Sequence, residues 1–497
     1  MKLASLFFLS LVPLGQAGSP DYFTPAHRVS GIGVERDDIS GELLAVRTDL
    51  MIQSQTFGIM RESLAVPGAK RITSTKLQSL FRSASLHSGF PVETLEAIAY
   101  VESWGDSKAE SPTGPKGIMQ ISAATARSMG LRVVMATRYK VTRERVRVTG
   151  KGKKPKYQTV THRTPYVVTA RDDRMVPERA VPAAARYLAF LEQKFGGRDW
   201  AIFAYHCGQG CVTEMLELTR RARGIPSGEI TVPRMFFSSN PAWNRELYEA
   251  IQQEMQRDYS PTYYFRVMRA EQLLALYRRD PEAFNALSEQ YTSGLQSSAR
   301  APHRLAVWLK RDDLIFRSPE DIRADLGKRL VKAIDRPEYF GYRLNVPADS
   351  ASGADRFWEA SPAAVGTLTY IAYETRRLFD ELNPRGERFE PLPVTSLVEP
   401  EDRARQLAGR EAVWHSSGQV FDVDYSVLPP GELECLRFVL SDLGWAGYLG
   451  FVQEGTDNLH IGCSPASRDF FATVFQEAVG RKLSDEVGSE ETPRPDR

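Results

Sequence analysis

The 497-residue sequence lacks any long apolar run. No stretch reaches the ~18–20 consecutive apolar residues of a membrane-spanning helix, so the chain carries no transmembrane span. It also has little net charge. Lys and Arg number 64 against 62 Asp and Glu, leaving +2, which argues against a dedicated nucleic-acid binder. Cysteine is scarce, and four residues are too few for a disulfide scaffold. No internal repeat is evident. What remains is ordinary globular composition, 42% apolar and 25% charged, which disfavours long-range disorder, collagen and coiled coil. The length is enough for roughly two to four domains, each able to bury a core.

The N-terminus bears on the compartment. Met1-Lys2 precedes an apolar stretch from Leu3 to Leu14, followed by Gly15-Gln16-Ala17. One positive charge, a short apolar core and small residues read as a secretory signal peptide cleaved after Ala17. Export to the periplasm or cell envelope follows. In that compartment the four cysteines are candidates for disulfides, with three possible pairings. Cys207–Cys211 and Cys435–Cys463 are favoured, because each pair then lies within one domain.

Residues 18–73 read as an irregular leader. Helical spacing starts after Ser74 (Leu77, Leu80, Phe81, Ala84), stops at Gly89 and resumes after Pro91. Leu95, Ile98, Ala99 and Glu102 then share one face. The neutral total conceals a local excess, since Arg132–Arg163 holds eleven Lys/Arg and one Glu. Alternation around Val146, Val148 and Val160 makes 132–171 a basic β-hairpin inserted between helices, a surface that could meet a wall polymer or a membrane. Helices resume at Val181 and run to about Ile334. Residues 345–356 are small and polar, a linker or long loop. A helix near Ala363–Leu382 precedes short alternating segments at Pro393–Leu397, Gln419–Tyr425, Tyr448–Gln453 and Asn458–Gly462. The expected organisation is a multidomain α and α+β chain. A mainly α domain over 74–275 is followed by a helical connector over 276–356, a smaller α+β domain over 357–485 and a disordered tail over 486–497.

Glu102 stands out in the first half. A carboxyl group on an apolar helix face has its charged form disfavoured, and a proton held near neutral pH suits a general acid. The run Ala97-Ile98-Ala99-Tyr100-Val101-Glu102-Ser103 is followed by Gly117-Ile118-Met119-Gln120-Ile121 and by Ala204-Tyr205-His206-Cys207-Gly208-Gln209-Gly210. These motifs, in this order over roughly residues 75–275, resemble the lysozyme-like lytic transglycosylases of bacterial cell walls, in their membrane-bound-type branch. The resemblance implies peptidoglycan glycan strands as substrate and no cofactor. It makes Glu102 the single acid/base and Ser103 a residue that orients the sugar. Gly117, Met119 and Gln120 line the glycan cleft, Tyr205 is the aromatic of the third motif, and Tyr264 closes the site. His206 stands where Asn is usual and can still donate a hydrogen bond, while Cys207 replaces Ala. Two-carboxylate glycosidases need a second acid, whereas this family needs one. A goose-type lysozyme-like hydrolase and a non-catalytic wall-binding protein are the alternatives.

The second half carries His415-x2-Gly418-x3-Asp422 and, later, His460. Two His and one Asp with an open fourth position suit catalytic zinc, and Gly418 permits the tight turn that lets them converge. With Thr395-Ser396, these residues resemble the D-Ala-D-Ala carboxypeptidase-like zinc peptidases. That resemblance implies zinc held by His415, Asp422 and His460, stem peptides as ligands, and Asp457 where the family has its water-activating Glu. The family's substrate-binding Arg is absent, with Glu399 near its place.

Overall fold

A computed structural model describes residues 41–148, 156–228, 230–257, 260–292, 315–345, 356–383, 386–403, 415–454 and 457–490. The signal peptide expected at 1–17, most of the polar stretch at 345–356 and residues 491–497 lie outside the described residues. The described residues form two compact units, 41–292 and 315–490.

The first unit is mainly helical. It begins with α1 (Gly41–Met60) and α2 (Ala65–Ile72), which corrects the reading of this stretch as irregular. In α1, Arg47, Met51, Ile52, Thr56, Ile59 and Met60 are all buried. Their spacing is helical, but an arginine and a threonine stand at core positions and break the apolar pattern. Arg47 is accommodated because its guanidinium lies over the Phe237 ring, 4.7 Å from the centroid. Next come α3 (Thr75–Ser88) and α4 (Val92–Ser103). Gly89, at φ 76°, ends α3 in the left-handed conformation that glycine adopts without strain. Then α4 is buried nearly all round from Thr94 to Tyr100, so it is the central helix rather than an amphipathic one.

After α5 (Ala123–Ser128), capped by Ser122, come the paired antiparallel strands β1 (Val133–Val148) and β2 (Lys156–Asp172). They are the basic hairpin expected from the sequence. The remaining helices are α6 (Pro177–Phe195), α7 (Arg198–Cys207), α8 (Gln209–Arg221), α9 (Val232–Ser238), α10 (Arg245–Arg257), α11 (Tyr263–Arg279) and α12 (Pro281–Thr292). Contacts of α11 with α4 and α7 bring its first turn to the end of α4. One charged pair braces α4 against α11, with the Arg278 guanidinium donating to the buried Glu96 carboxylate.

The second unit is α+β. It contains α13 (Pro319–Asp325), β3 (Val331–Lys332), α14 (Pro337–Phe340), β4 (Tyr342–Leu344), β5 (Glu359–Ala360) and α15 (Pro362–Leu382). There follow β6 (Leu392–Ser396), β7 (Val420–Asp424), α16 (Pro430–Trp445), β8 (Leu449–Glu454), β9 (Asn458–Cys463) and α17 (Arg468–Glu490). Five strands form one sheet in the order β4-β6-β7-β9-β8, parallel only between β4 and β6. Helix α15 packs on α16 and α17. At Gly366 a Cβ would stand 1.9 Å from the Phe471 carbonyl oxygen, so two helix backbones meet where only glycine fits.

Three more expectations change. The connector over 276–356 divides, because α12 packs on α11 and α1 while α13 to β4 belong to the second unit. The tail begins later, since α17 continues through Glu490 on a base of buried Phe471, Val474 and Ala478. The favoured disulfides are absent, and all four cysteines are thiols. Cys207 closes α7 and Cys211 lies in α8. Gly208, at φ 87° and ψ 163°, turns the chain between them, so they do not share the continuous helix that an i, i+4 spacing suggests.

Candidate active site and candidate metal centre

Glu102 occupies the last turn of α4, where the buried helix emerges, and its side chain keeps 12% exposure. It is less enclosed than the sequence spacing implies. Tyr263, the first residue of α11, donates its hydroxyl to Glu102 Oε1 at 2.7 Å. His206, near the end of α7, stacks on the Tyr263 ring with centroids 4.4 Å apart and planes 11° apart. Its Nδ1 is 3.7 Å from the same carboxylate oxygen, too far for a hydrogen bond. The tyrosine at Glu102 is therefore Tyr263 and not Tyr264. Adjacent helical residues point about 100° apart. Tyr264 faces the Asp199, Glu271 and Arg198 side, and burial together with the two carboxylates pushes its hydroxyl up to about 12.

The loop that follows α4 is held by its carbonyls. Ser103 is buried, and its hydroxyl donates to Ile118 O (2.8 Å) and Ala99 O (3.1 Å). Tyr205 donates to Met119 O at 2.7 Å. Gln120 donates to Gly117 O (2.9 Å) and Ala109 O (3.1 Å), while its own backbone sits at φ 42°. Met119 is fully buried. Ser103, Tyr205 and Gln120, expected to contact sugar, thus bond to carbonyls of this loop, and Met119 packs inside it. Gly117 has φ 81°, and a Cβ there would stand 1.9 Å from the Arg174 carbonyl oxygen.

Arg174 is a residue that sequence reasoning missed. It lies just beyond β2, is 3% exposed, and donates from one nitrogen to Gly114 O and Ile121 O, both at 3.0 Å. Asp172 pairs with it at 2.6 Å. Burial alone would raise the Asp172 carboxyl, but the Arg174 hydrogen bonds and charge outweigh it and hold the group below its usual range. The available signal was the cluster Arg171-Asp172-Asp173-Arg174 ahead of Pro177. Tyr263 was also missed, because a tandem tyrosine pair does not reveal which ring turns inward.

In the second unit His415, Asp422 and His460 meet as the spacing implied. Asp422 on β7 is directly opposite His460 on β9. His415 arrives from a turn closed by Gly418 at φ 67°, whose N–H donates to the His415 carbonyl. All three are buried, and one ligand atom from each lies within 4.8 Å of the others. His460 Nδ1 is 2.5 Å and His415 Nε2 is 3.0 Å from Asp422 Oδ1, and the two nitrogens are 3.2 Å apart. His415 Nδ1 is 2.9 Å from Leu397 O. A carbonyl only accepts, so Nδ1 carries the proton there, and Nε2 is the ring nitrogen that faces the cluster. Burial pulls His415 down, but the Asp422 carboxylate prevails and pushes it up to about 9. Burial likewise opposes ionisation of Asp422, yet the two imidazoles hold it below its usual value. The donor set therefore draws positive charge and fits a divalent cation. Asp457 does not join it. It is exposed in the turn before β9, with its carbonyl accepting from Tyr425 N.

The first unit thus joins a helical scaffold, a carboxylate at the end of a buried helix and a glycine-anchored loop. Residues 79–144 and 156–225 match the family described as the Transglycosylase SLT domain. The gap between the two matched segments is residues 145–155, which begins in β1 and ends just before β2. Among individual proteins, the chain is 33% identical over 132 residues to "Peptidoglycan transglycosylase gp16" of Escherichia phage T7, covering 26% of this chain and 8% of the phage protein. It is 28% identical over 178 residues to "Membrane-bound lytic murein transglycosylase F" of Alcanivorax borkumensis, covering 34% and 30% of the two chains. A third, "Membrane-bound lytic murein transglycosylase F 2" of Alkalilimnicola ehrlichii, is 25% identical over 152 residues, covering 29% and 25%. The chain thus spans less than a third of the length of each of these relatives. Among the described residues, no helix is long and apolar enough to cross a membrane.

Proposed function

We propose that the first unit is a peptidoglycan lytic transglycosylase that cleaves the β-1,4 bond between N-acetylmuramic acid and N-acetylglucosamine. The observation that carries this reading is Tyr263 Oη at 2.7 Å from Glu102 Oε1, with His206 beside it, on an SLT-domain scaffold. Glu102 first donates its proton to the glycosidic oxygen. The oxocarbenium-like centre is stabilised by the substrate's own acetamido group. The Glu102 carboxylate then takes the proton of the muramic 6-hydroxyl as that oxygen attacks the anomeric carbon. The glycosidic bond breaks, the C1–O6 bond of an intramolecular acetal forms, and the product ends in 1,6-anhydromuramic acid with no water consumed. Tyr263 and His206 steady the carboxylate in its second role. The matches to membrane-bound transglycosylases support an envelope location, with contact to a wall polymer or membrane surface through the basic hairpin.

Digestion of purified peptidoglycan followed by mass analysis of the fragments tests this. Anhydro-ended products from wild type, lost in Glu102→Gln, are expected. Reducing ends would make the enzyme a hydrolase, and equal products from both proteins would remove Glu102 from the chemistry.

For the second unit we propose a zinc-peptidase-like module that acts on or binds stem peptides. His415, Asp422 and His460 would hold the zinc, which when bound supplies a Lewis acid that polarises a carbonyl or activates water. Leu397 O fixes the His415 tautomer, and the opposed pair Asp422/His460 sets the ligand spacing. The exposed position of Asp457 favours binding over turnover. Equal zinc in wild type and His415→Ala would remove the metal reading.

A further inference from the structure

We propose that one face of the β1–β2 ribbon, bearing Arg143, Arg145, Arg163, Tyr139 and Tyr157, docks the first unit on an anionic phospholipid surface. This deepens the envelope contact proposed above for the hairpin and names its partner. The cross-strand register assigns the faces. Tyr139 is opposite Pro165, Val141 opposite Arg163, Arg143 opposite Thr161 and Arg145 opposite Thr159. Paired residues of an antiparallel ribbon project to the same side, and side chains alternate along each strand. Among the described side chains, the odd-numbered positions therefore collect three arginines and no carboxylate. The other face has Arg138 and Lys140, but also Glu144, which lies 3.5 Å from His162.

The arginine face is also the more apolar. Tyr139 is 58%, Val141 51%, Tyr157 55% and Val167 64% exposed. Arg145 lies over the Tyr157 ring, 5.2 Å from the centroid. Guanidinium groups offer forked donors to phosphate oxygens, and tyrosines and valines beside them enter the headgroup region. A wall polymer would engage the charges but leave this exposed apolar surface without a partner. The chain as a whole carries only +2, so attraction to a negative surface must come from this local concentration. The strand of 16 residues is about 50 Å long, enough to lie along a bilayer.

Flotation of the full chain with vesicles tests the assignment. Vesicles of phosphatidylglycerol and phosphatidylethanolamine are compared with phosphatidylcholine alone. Wild type should bind only the anionic vesicles and should be released by ~0.5 M salt. Arg143→Gln/Arg145→Gln/Arg163→Gln should weaken binding by about tenfold or more, and Arg138→Gln/Lys140→Gln by about threefold or less. Equal weakening by both sets, or no preference for anionic vesicles, overturns the proposal. Retention on purified sacculi that depends on the three arginines, without vesicle binding, overturns it in favour of a wall polymer. Cleavage of soluble glycan fragments, assayed in parallel, reads the catalytic proposal separately. Vesicle binding without cleavage supports this surface while removing that activity.

Discussion

Glu102 and Asp422 are both carboxylates with histidine beside them, and the two sites hold that pairing in different geometries. Glu102 lies on the last turn of a helix and retains access to solvent. Its hydrogen-bond partner is a neutral phenol at 2.7 Å, and His206 is held at 3.7 Å by stacking on that phenol. Asp422 lies in the middle of a sheet, buried, with imidazoles at 2.5 Å and 3.0 Å. A carboxylate that must gain and lose a proton cannot be locked to a cation, whereas one that must stay ionised benefits from it. Distance to the neighbouring imidazoles, rather than residue type, separates the two proposed roles.

The largest effect should come from removing the proton-transfer group. Glu102→Gln is expected to lower anhydromuropeptide release by about 10²–10⁴-fold while leaving the folded structure intact, as thermal unfolding would show. Asp422→Asn should leave that rate unchanged, because it acts in the other unit. A parallel loss of rate would mean that the two carboxylates do not have separate tasks.

Gly117→Ala should be next. A methyl group at φ 81° costs roughly 1–3 kcal/mol in backbone strain before its clash with the Arg174 carbonyl. Calorimetry should record the lower stability, together with reduced turnover. Tyr263→Phe removes a hydrogen bond to a charged acceptor, worth roughly 1.5–3 kcal/mol, so a loss of rate of about 10- to 150-fold is expected. Tyr264→Phe should change the rate by less than about twofold. If the two tyrosines exchanged effects, the assignment of the inward ring would fail.

The smallest effect concerns pH. The Asp172 carboxyl is held below its unfolded value by Arg174. Its contribution is therefore complete above the unfolded pKa and is lost as pH falls through the lower folded value. Wild type should lose stability more steeply than Asp172→Asn in that acidic window, as melting temperatures across pH would reveal.

Much of this was legible in the sequence. Strands β6 to β9 were bounded to within a residue or two because alternation and turns agree there, whereas the two- and three-residue strands β3, β4 and β5 are too short to show alternation. The triad was legible because Gly418 and the cross-strand step to His460 are local geometry. Glu102 was found through its motif. The cleft loop was assigned to sugar contact, yet Ser103, Tyr205 and Gln120 turn out to hold backbone carbonyls. A motif records which residues occur together, and it does not say whether a hydroxyl faces ligand or loop. Tyr263 and Arg174 escaped because their partners lie 161 and 53–60 residues away. Helix α1 escaped because Arg47 and Thr56 occupy buried positions that a search for apolar periodicity skips.

Arg174 gives the ribbon a mechanical consequence. It stands two residues beyond the end of β2, and its guanidinium carries two carbonyls of the loop beside Glu102. The β1–β2 pair is thus a long arm whose base is tied, through one buried side chain, to the loop that follows Glu102.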